Sequence, residues 1–319
     1  MKFPILLPNI FNHPFTYKSN LDLKVGDYVV VPFGKSKIIG VVWNEFEIKN
    51  DKKFIVKDVI KKLNIYPLKK KTINFLNWFA IYNIIPKGMV LKLLFLSNKA
   101  IEKFTIDKYQ YFEPKIKLHG LKLSEEQDRS LKQITDSMKS FRVHVLHGVT
   151  GSGKTIVYFE AIKKVIEKGS QSLILLPEIG LTSEFEKKFL DFFGFKAAIW
   201  HSGINKKKKE IIWSGIAEGH IKVVIGARSS LFLPFKKLGL IVVDEEHDQS
   251  FKQDEGIIYN ARDMAISRAS FEDIPINLIS AVPSIETYNN IIKGKYFSHR
   301  IIKRYKNARL PEYELIDLT

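Results

Sequence analysis

Cysteine is absent from all 319 residues. Disulfides and thiolate-held zinc are therefore excluded within this chain, and thiol redox chemistry is not expected. Arginine is scarce, 8 residues against 43 lysines, and the 34 acids leave a formal net charge of +17. There is no run of about 18 uncharged apolar residues, the length a membrane span requires. The amino terminus, MKFPILLPNIFNHPF, holds prolines and no small-residue cleavage site. A soluble, cytoplasmic protein without membrane association is the expectation. Internal repeats are also lacking. What the chain does have is apolar and aromatic content, 45% and 12%, ample for the cores of two or three domains.

The positive charge is uneven. The first 120 residues carry 21 Lys, no Arg and 9 acids, a net of +12. A polyanion suits such a surface, because each neutralised phosphate releases condensed counterions. A lysine-rich, Ile- and Asn-rich composition also arises from nucleotide bias in a genome, in which case many of these lysines only solvate the surface.

Between an apolar run and a helical one, His147 to Thr155 reads HGVTGSGKT. Within it, Gly148, Gly153, Lys154 and Thr155 satisfy the P-loop spacing, with Gly151 in between. Glycines let backbone N–H groups wrap phosphate oxygens, lysine adds a point charge and threonine offers a Mg²⁺ ligand. RVHVL (142–146) suits the entering strand, and Ile156 to Lys168 has helical apolar spacing that stops at Gly169. ATP and Mg²⁺ are the expected ligands.

About ninety residues on, LIVVDEEH (240–247) reads as an apolar strand ending in carboxylates, a DExH box. Asp244 is suited to the Mg²⁺ shell together with Thr155, and Glu245 to polarising the attacking water. Lys154, Asp244 and Glu245 are the catalytic candidates. A solvated turn is the plain alternative for Asp-Glu-Glu-His, and the upstream P-loop argues against it.

Along the chain, Val25 to Trp43 is β-rich with turns at Gly26-Asp27 and Phe33-Gly34-Lys35, which predicts a small barrel-like module. Thr72 to Leu94 is helical in pattern, broken at Pro86, and is expected to pack on that module. From Leu123 onward, the strand-like runs RVHVL, SLILL, KAAIW, KVVIG, LIVVD and INLIS alternate with helical patterns. That rhythm predicts an α/β fold, a parallel doubly wound sheet with ligands at the strands' carboxyl ends. The expected division is 1–97 as the β-rich domain, 98–122 as connector and 123–319 as a RecA-like P-loop lobe.

Seven segments occur in order: HGVTGSGKT, LLPEIGLT, HSG, IGARSSLFLPF, VVDEEHDQSFKQDEG, YNARD and SAVPSIET. Together they resemble the PriA family of primosomal replication-restart helicases, superfamily 2. Pro14-Phe15-Thr16-Tyr17 and VVVPFGKSKIIGVVW (29–43) resemble that family's 3′-end DNA-binding domain. The resemblance implies an ATP-dependent 3′-to-5′ DNA helicase of replication restart. It also implies single-stranded-DNA-binding protein and primosome loading factors as partners. By position it assigns Gln127 to adenine, Arg228 to the DNA backbone, and Phe251 and Tyr259 to an aromatic loop that links DNA to hydrolysis. Lys187 and Lys188 suit the same backbone by charge alone. Thr16, Gly34 and Lys57 stand where the family reads a DNA 3′ terminus, and His247 and Ser280 fall in its coupling segments. Rings of this kind stack on bases at roughly 1–3 kcal/mol each; packing within the loop is the alternative for Phe251 and Tyr259.

The chain departs from the family at Thr16 (an Asp), Ala227 and Val282 (each a Thr), and Ile257 with Ile258 (an aromatic and a basic residue). These changes touch DNA-end specificity and motor coupling rather than nucleotide binding. Leu310 to Thr319 resembles the link into a second RecA-like lobe, so that lobe and the family's zinc region are expected to be absent here, with a partner chain as one source of lobe two; the 98–122 connector is too short for the family's winged helix, which is expected to be absent as well. The rival expectation is a non-enzymatic DNA-end-binding fragment that binds ATP without productive turnover.

Overall fold

A computed structural model describes residues 1–45, 56–95 and 122–304. Nearly all of the expected connector and the whole of Leu310 to Thr319 lie outside these residues.

The first strands are β1 (Lys2–Leu6), β2 (Phe15–Lys18), β3 (Tyr28–Phe33), β4 (Ser36–Val42) and β5 (Lys61–Lys62), in the antiparallel order β2-β1-β4-β3-β5. Period-2 alternation explains the apolar run YVVV in β3. Val29 and Val31 face a barrel interior with Ile5, Leu7, Tyr17 and Val42, whereas Tyr28 and Val30 face outward onto helices. One segment closes the sheet: Lys18 N–H donates to the Lys57 carbonyl (2.9 Å), Val59 N–H to that of Lys18 (2.9 Å), and Ile60 N–H to that of Val30 on the opposite edge (2.9 Å). With both outer strands bridged, neither edge is left open to aggregate.

The predicted helix over Thr72 to Leu94 forms as two, α1 (Lys70–Tyr82) and α2 (Lys87–Leu94), broken at Ile84, which has φ +54°, and at Pro86, the residue before α2. They pack on the barrel as expected and also on the second unit. Phe75 and Phe79 meet Phe232, Trp213 Nε1 donates to the Leu94 carbonyl (2.8 Å), and Thr72 Oγ1 donates to Glu272 Oε1 (2.7 Å). One apolar cluster runs from Leu6 and Trp43 through α1 and α2 to Val243 and Leu278.

The second unit is a seven-stranded parallel sheet, β14-β6-β13-β10-β7-β9-β8. Its strands are β6 (Val143–Gly148), β7 (Gln171–Leu175), β8 (Ala198–Trp200), β9 (Val223–Gly226), β10 (Leu238–Val243), β13 (Ile276–Ser280) and β14 (Phe297–Ile301). The six predicted strands are present, and β14 is an addition. α3 (Glu125–Asp136), α4 (Lys154–Glu167) and α5 (Ser183–Phe193) cover one face, burying Leu146, Ile174 and Val242. α6 (Lys206–Glu218) and α7 (Ala261–Glu272) cover the other with α1, burying Leu173, Ile241 and Val243. α8 (Ile285–Ile292) lies between β13 and β14, and a two-residue hairpin, β11 (Lys252–Gln253) with β12 (Tyr259–Asn260), leads into α7.

Candidate nucleotide site and nucleic-acid surface

β6 ends at Gly148 and α4 begins at Lys154, so the intervening loop sits at the carboxyl end of an interior strand and at a helix amino terminus. Gly148 is required by crowding against backbone as well as by φ, and Gly153 by φ with the Gln127 side-chain tip close by. A Cβ on Gly148 (φ +154°) would lie 1.9 Å from the Ile301 carbonyl oxygen, and one on Gly153 (φ +78°) 2.4 Å from Gln127 Nε2. Gly151, at φ +79°, meets nothing within 4 Å. Lys154 Nζ donates to the carbonyls of Gly148 (2.9 Å) and Val149 (3.2 Å). Burial lowers its pKa, opposed by the nearby carboxylates of Glu245 and Asp244.

Those carboxylates arrive from β10. Asp244 Oδ2 accepts from Tyr158 Oη (2.8 Å) and Oδ1 from Glu245 N–H (3.0 Å). Burial, reinforced by Glu245, raises the Asp244 carboxyl to about 6 against the pull of Tyr158 and Lys154. Glu245 holds φ +49°, a left-handed conformation costly for a residue with a Cβ and common where side chains are aimed for function. The loop and both carboxylates line one cavity of about 760 Å³ with Phe159 and Phe192, within the size range of small-ligand pockets. Thr155 and Asp244 flank the buried Tyr158 hydroxyl, and each interacts with it. Two hard oxygen donors on one wall fit Mg²⁺.

Two neighbours of this cavity differ from what position or charge suggested. Gln127 does not line it: its Oε1 accepts from Ser124 N–H (2.9 Å) in a capping box, and its Nε2 donates to the Ser152 carbonyl (2.9 Å). The amide braces the phosphate loop from behind. Lys188 lines the cavity wall and pairs with Glu184 at 2.9 Å, so it stands at the nucleotide pocket, away from Lys187.

On the barrel, positions 16, 34 and 57 lie on segments that neighbour one another through other residues. β2, which carries Thr16, lies beside the 57–59 segment and is bonded to the Lys57 carbonyl through Lys18. Tyr17 Oη donates to the Pro32 carbonyl (3.1 Å), and Phe15 touches Phe33 (5.3 Å between ring centroids), next to Gly34 in the open β3–β4 turn. Phe11, His13, Phe15 and Phe33 form one ring group there, the phenylalanines edge-on and His13 tilted. In the sequence, the aromatic run FNHPF (11–15) carries that signal.

The DEAD/DEAH box helicase family matches residues 124–291, more than half of the chain. The chain belongs to that family. Residues 4–95 match the 3′DNA-binding domain (3′BD) of PriA. "Replication restart protein PriA" of Rickettsia conorii (strain ATCC VR-613 / Malish 7) is 43% identical over 317 residues, 99% of this chain and 48% of the relative. The protein of the same name from Bacillus subtilis (strain 168) is 37% identical over 241 residues, 75% of this chain and 29% of that one. Among solved structures, RecG bound to a three-way DNA junction is 25% identical with a TM-score of 0.44, over 60% of this chain and 26% of that chain. The chain thus spans about half the length of the first of these relatives.

Within this helicase lobe, the coupling candidates meet: His247 Nδ1 is 2.8 Å from Ser280 Oγ, which donates to the Val282 carbonyl (2.7 Å). Sequence reasoning left Glu246 without a role, and the fold gives it one. Buried at 1% exposure, its carboxylate accepts from Ser284 N–H (2.7 Å), Thr287 Oγ1 (2.9 Å) and Arg262 Nη1 (3.3 Å). It joins the end of β10 to α7 and α8, partners that sequence separation conceals.

Phe251 and Tyr259 require a correction. Both are buried, at 1% and 5% exposure, and Tyr259 packs edge-on against Phe79 and Phe232. Burial raises the Tyr259 hydroxyl to about 12. Neither ring offers a face to a base, because the hairpin folds both into the core shared with α1. Arg228 donates from Nη1 to the Lys252 carbonyl (2.7 Å), tying the segment after β9 to this hairpin. Ala227 is buried, whereas Val282 and Ile258 are exposed.

Proposed function

We propose that this chain binds ATP with Mg²⁺ in the P-loop cavity and DNA on its barrel. In this reading it forms the nucleotide-hydrolysing part of a 3′-to-5′ DNA helicase that acts in replication restart at forks. The observation that supports this reading is the meeting of Lys154 and Thr155 with Asp244 and Glu245 across one cavity. Lys154 moves its ammonium from the loop carbonyls to phosphate oxygens, and the N–H groups at the start of α4 bind the same oxygens. Thr155 and Asp244 would hold Mg²⁺, which would supply neutralisation of charge on the phosphate oxygens. Glu245, exposed at the cavity edge, orients the attacking water. Ser280 and His247 relay the state of the site toward the Val282 turn. On the barrel, Thr16, Gly34 and Lys57 receive a DNA 3′ end beside the Phe15 and Phe33 rings, and single-stranded-DNA-binding protein and loading factors are the expected protein partners.

The test is ATP turnover by the 319-residue chain with and without a fork bearing a free 3′ end, comparing wild type with Lys154→Ala. Loss of a charge-assisted phosphate contact is worth about 2–3 kcal/mol, so nucleotide affinity is expected to fall by about 30- to 160-fold. DNA-stimulated turnover that the substitution abolishes supports the proposal. Tight, salt-sensitive fork binding without turnover would favour the DNA-end-binding reading, and absence of nucleotide binding would overturn both.

A further inference from the structure

The amino ends of β7, β9 and β10 lie opposite the nucleotide cavity, and a second cleft opens there against the barrel's exit segment. It encloses about 380 Å³ and is lined by Lys69, Lys222, Lys236, Lys237, Tyr66 and Glu218 among others. Lys237 precedes β10 and Asp244 follows it, which at about 3.3 Å per residue separates the two sites by about 20 Å.

The charge balance of this cleft is one-sided. None of the four lysines forms a carboxylate ion pair among the described residues. Lys222 Nζ donates to the Gly219 carbonyl (2.8 Å) and Lys237 Nζ to that of Lys168 (3.1 Å), while Lys236 Nζ sits 4.5 Å from the Tyr66 ring centroid. Two carboxylates lie within reach against four lysines and leave a positive excess: Glu218, whose Oε1 accepts from Tyr66 N–H (2.8 Å), and Glu272, whose Oε1 accepts from Thr72 Oγ1 (2.7 Å). Burial and then repulsion from Lys236 and Lys237 lower the pKa of Lys222. Burial lowers that of Lys69, with Lys71 and Lys237 adding to it and Glu272 opposing. Clustered ammonium groups that cost free energy alone become favourable once an anion sits among them.

We propose that this cleft is a second phosphate-binding site, holding the sugar-phosphate backbone of DNA at the end of the lobe opposite the nucleotide. A backbone with repeated phosphates fits better than one free phosphate. Four ammonium groups are spread along the cleft, and Lys70 and Lys71 follow Lys69 at the start of α1. The site gives DNA a hold that depends neither on its 3′ terminus nor on the P-loop. The proposal rests on the reading that the chain binds DNA.

The test uses the full chain, a duplex whose 3′ ends are blocked by phosphate, and the triple variant Lys222→Gln/Lys236→Gln/Lys237→Gln. Neutralising three phosphate contacts is expected to weaken low-salt binding at least about tenfold and to make the slope of log K against log salt shallower by about 2.7. Nucleotide affinity is expected to be unchanged. Lys→Arg at the three positions should restore DNA affinity, and Lys236→Gln alone should give a smaller loss in the same direction if the triple variant fails to fold. Equal affinity and equal salt slope for wild type and variant would overturn this inference while leaving the DNA-binding reading intact. Absence of any DNA binding by wild type would overturn that reading too. Loss of inorganic tripolyphosphate binding with duplex binding preserved would assign the cleft to a free anion and also overturn it.

Discussion

In the proposed site, a proton and a metal would compete for the Asp244 carboxylate. Its pKa, raised by burial to about 6, means that a cation must displace a proton at any lower pH. Metal-assisted nucleotide affinity is therefore expected to fall about tenfold per pH unit below about 6 and to level off above it. Calorimetric titration of Mg²⁺-nucleotide at pH 5, 6, 7 and 8 checks this, and an affinity constant from pH 5 to 7 would contradict it. The P-loop glycines, Lys154, Thr155 and the two carboxylates were legible in the sequence because their chemistry is carried by short local spacing. Glu246 was not, since its partners Arg262, Ser284 and Thr287 are 16 to 41 residues away. The same holds for Gln127, whose amide a residue type alone cannot distinguish from one facing a ligand.

At the scale of elements, six parallel strands were readable because each is a compact apolar run, whereas β14, FSHRI, is half polar and sits at the sheet edge. Its docking relies on a buried pair: His144 Nδ1 lies 2.9 Å from His299 Nε2, flanked by Ser137 and Gln133. Burial lowers His144 to about 3, aided by His299 and Arg142, and His299 to about 4, aided by His147. The fold keeps both neutral while the unfolded chain protonates them near 6.5. Their contribution is full above about 6.5 and is lost as pH falls toward 4, by up to about 1.4 kcal/mol per unit for each histidine. Urea midpoints at pH 7 and 5 are expected to show this drop, and His299→Gln to reduce it. The hairpin β11–β12 offers a second check. Phe251→Ala should cost about 3–5 kcal/mol of stability, as truncation of a core ring does. Phe251→Leu, which stays buried, should leave fork affinity within about twofold. A large loss of DNA affinity with stability intact in the Leu variant would restore the ring to the DNA surface.

Over the whole molecule, barrel and lobe share one apolar cluster through α1 and α2, with Trp213, Thr72 and Glu272 bonding across the junction. They are expected to unfold together, so urea transitions followed by tryptophan fluorescence and by far-ultraviolet circular dichroism should coincide. Two separated transitions would show that the junction is weaker than its packing suggests.

By itself, the sequence determined the local chemistry: the phosphate loop, the strand that delivers two carboxylates, the β-rich basic start, and the family to which these belong. Each of these is written in short spacings and in periods of 2 or 3.6, which survive without knowledge of the fold. Only the tertiary structure decided that Phe251 and Tyr259 are core rings, that Glu246 is a junction, that α1 and α2 join two units, and that four lysines face one cleft. Those outcomes depend on which distant segments share a face. Sheet order and crossover packing set that, and no local pattern along the chain encodes it.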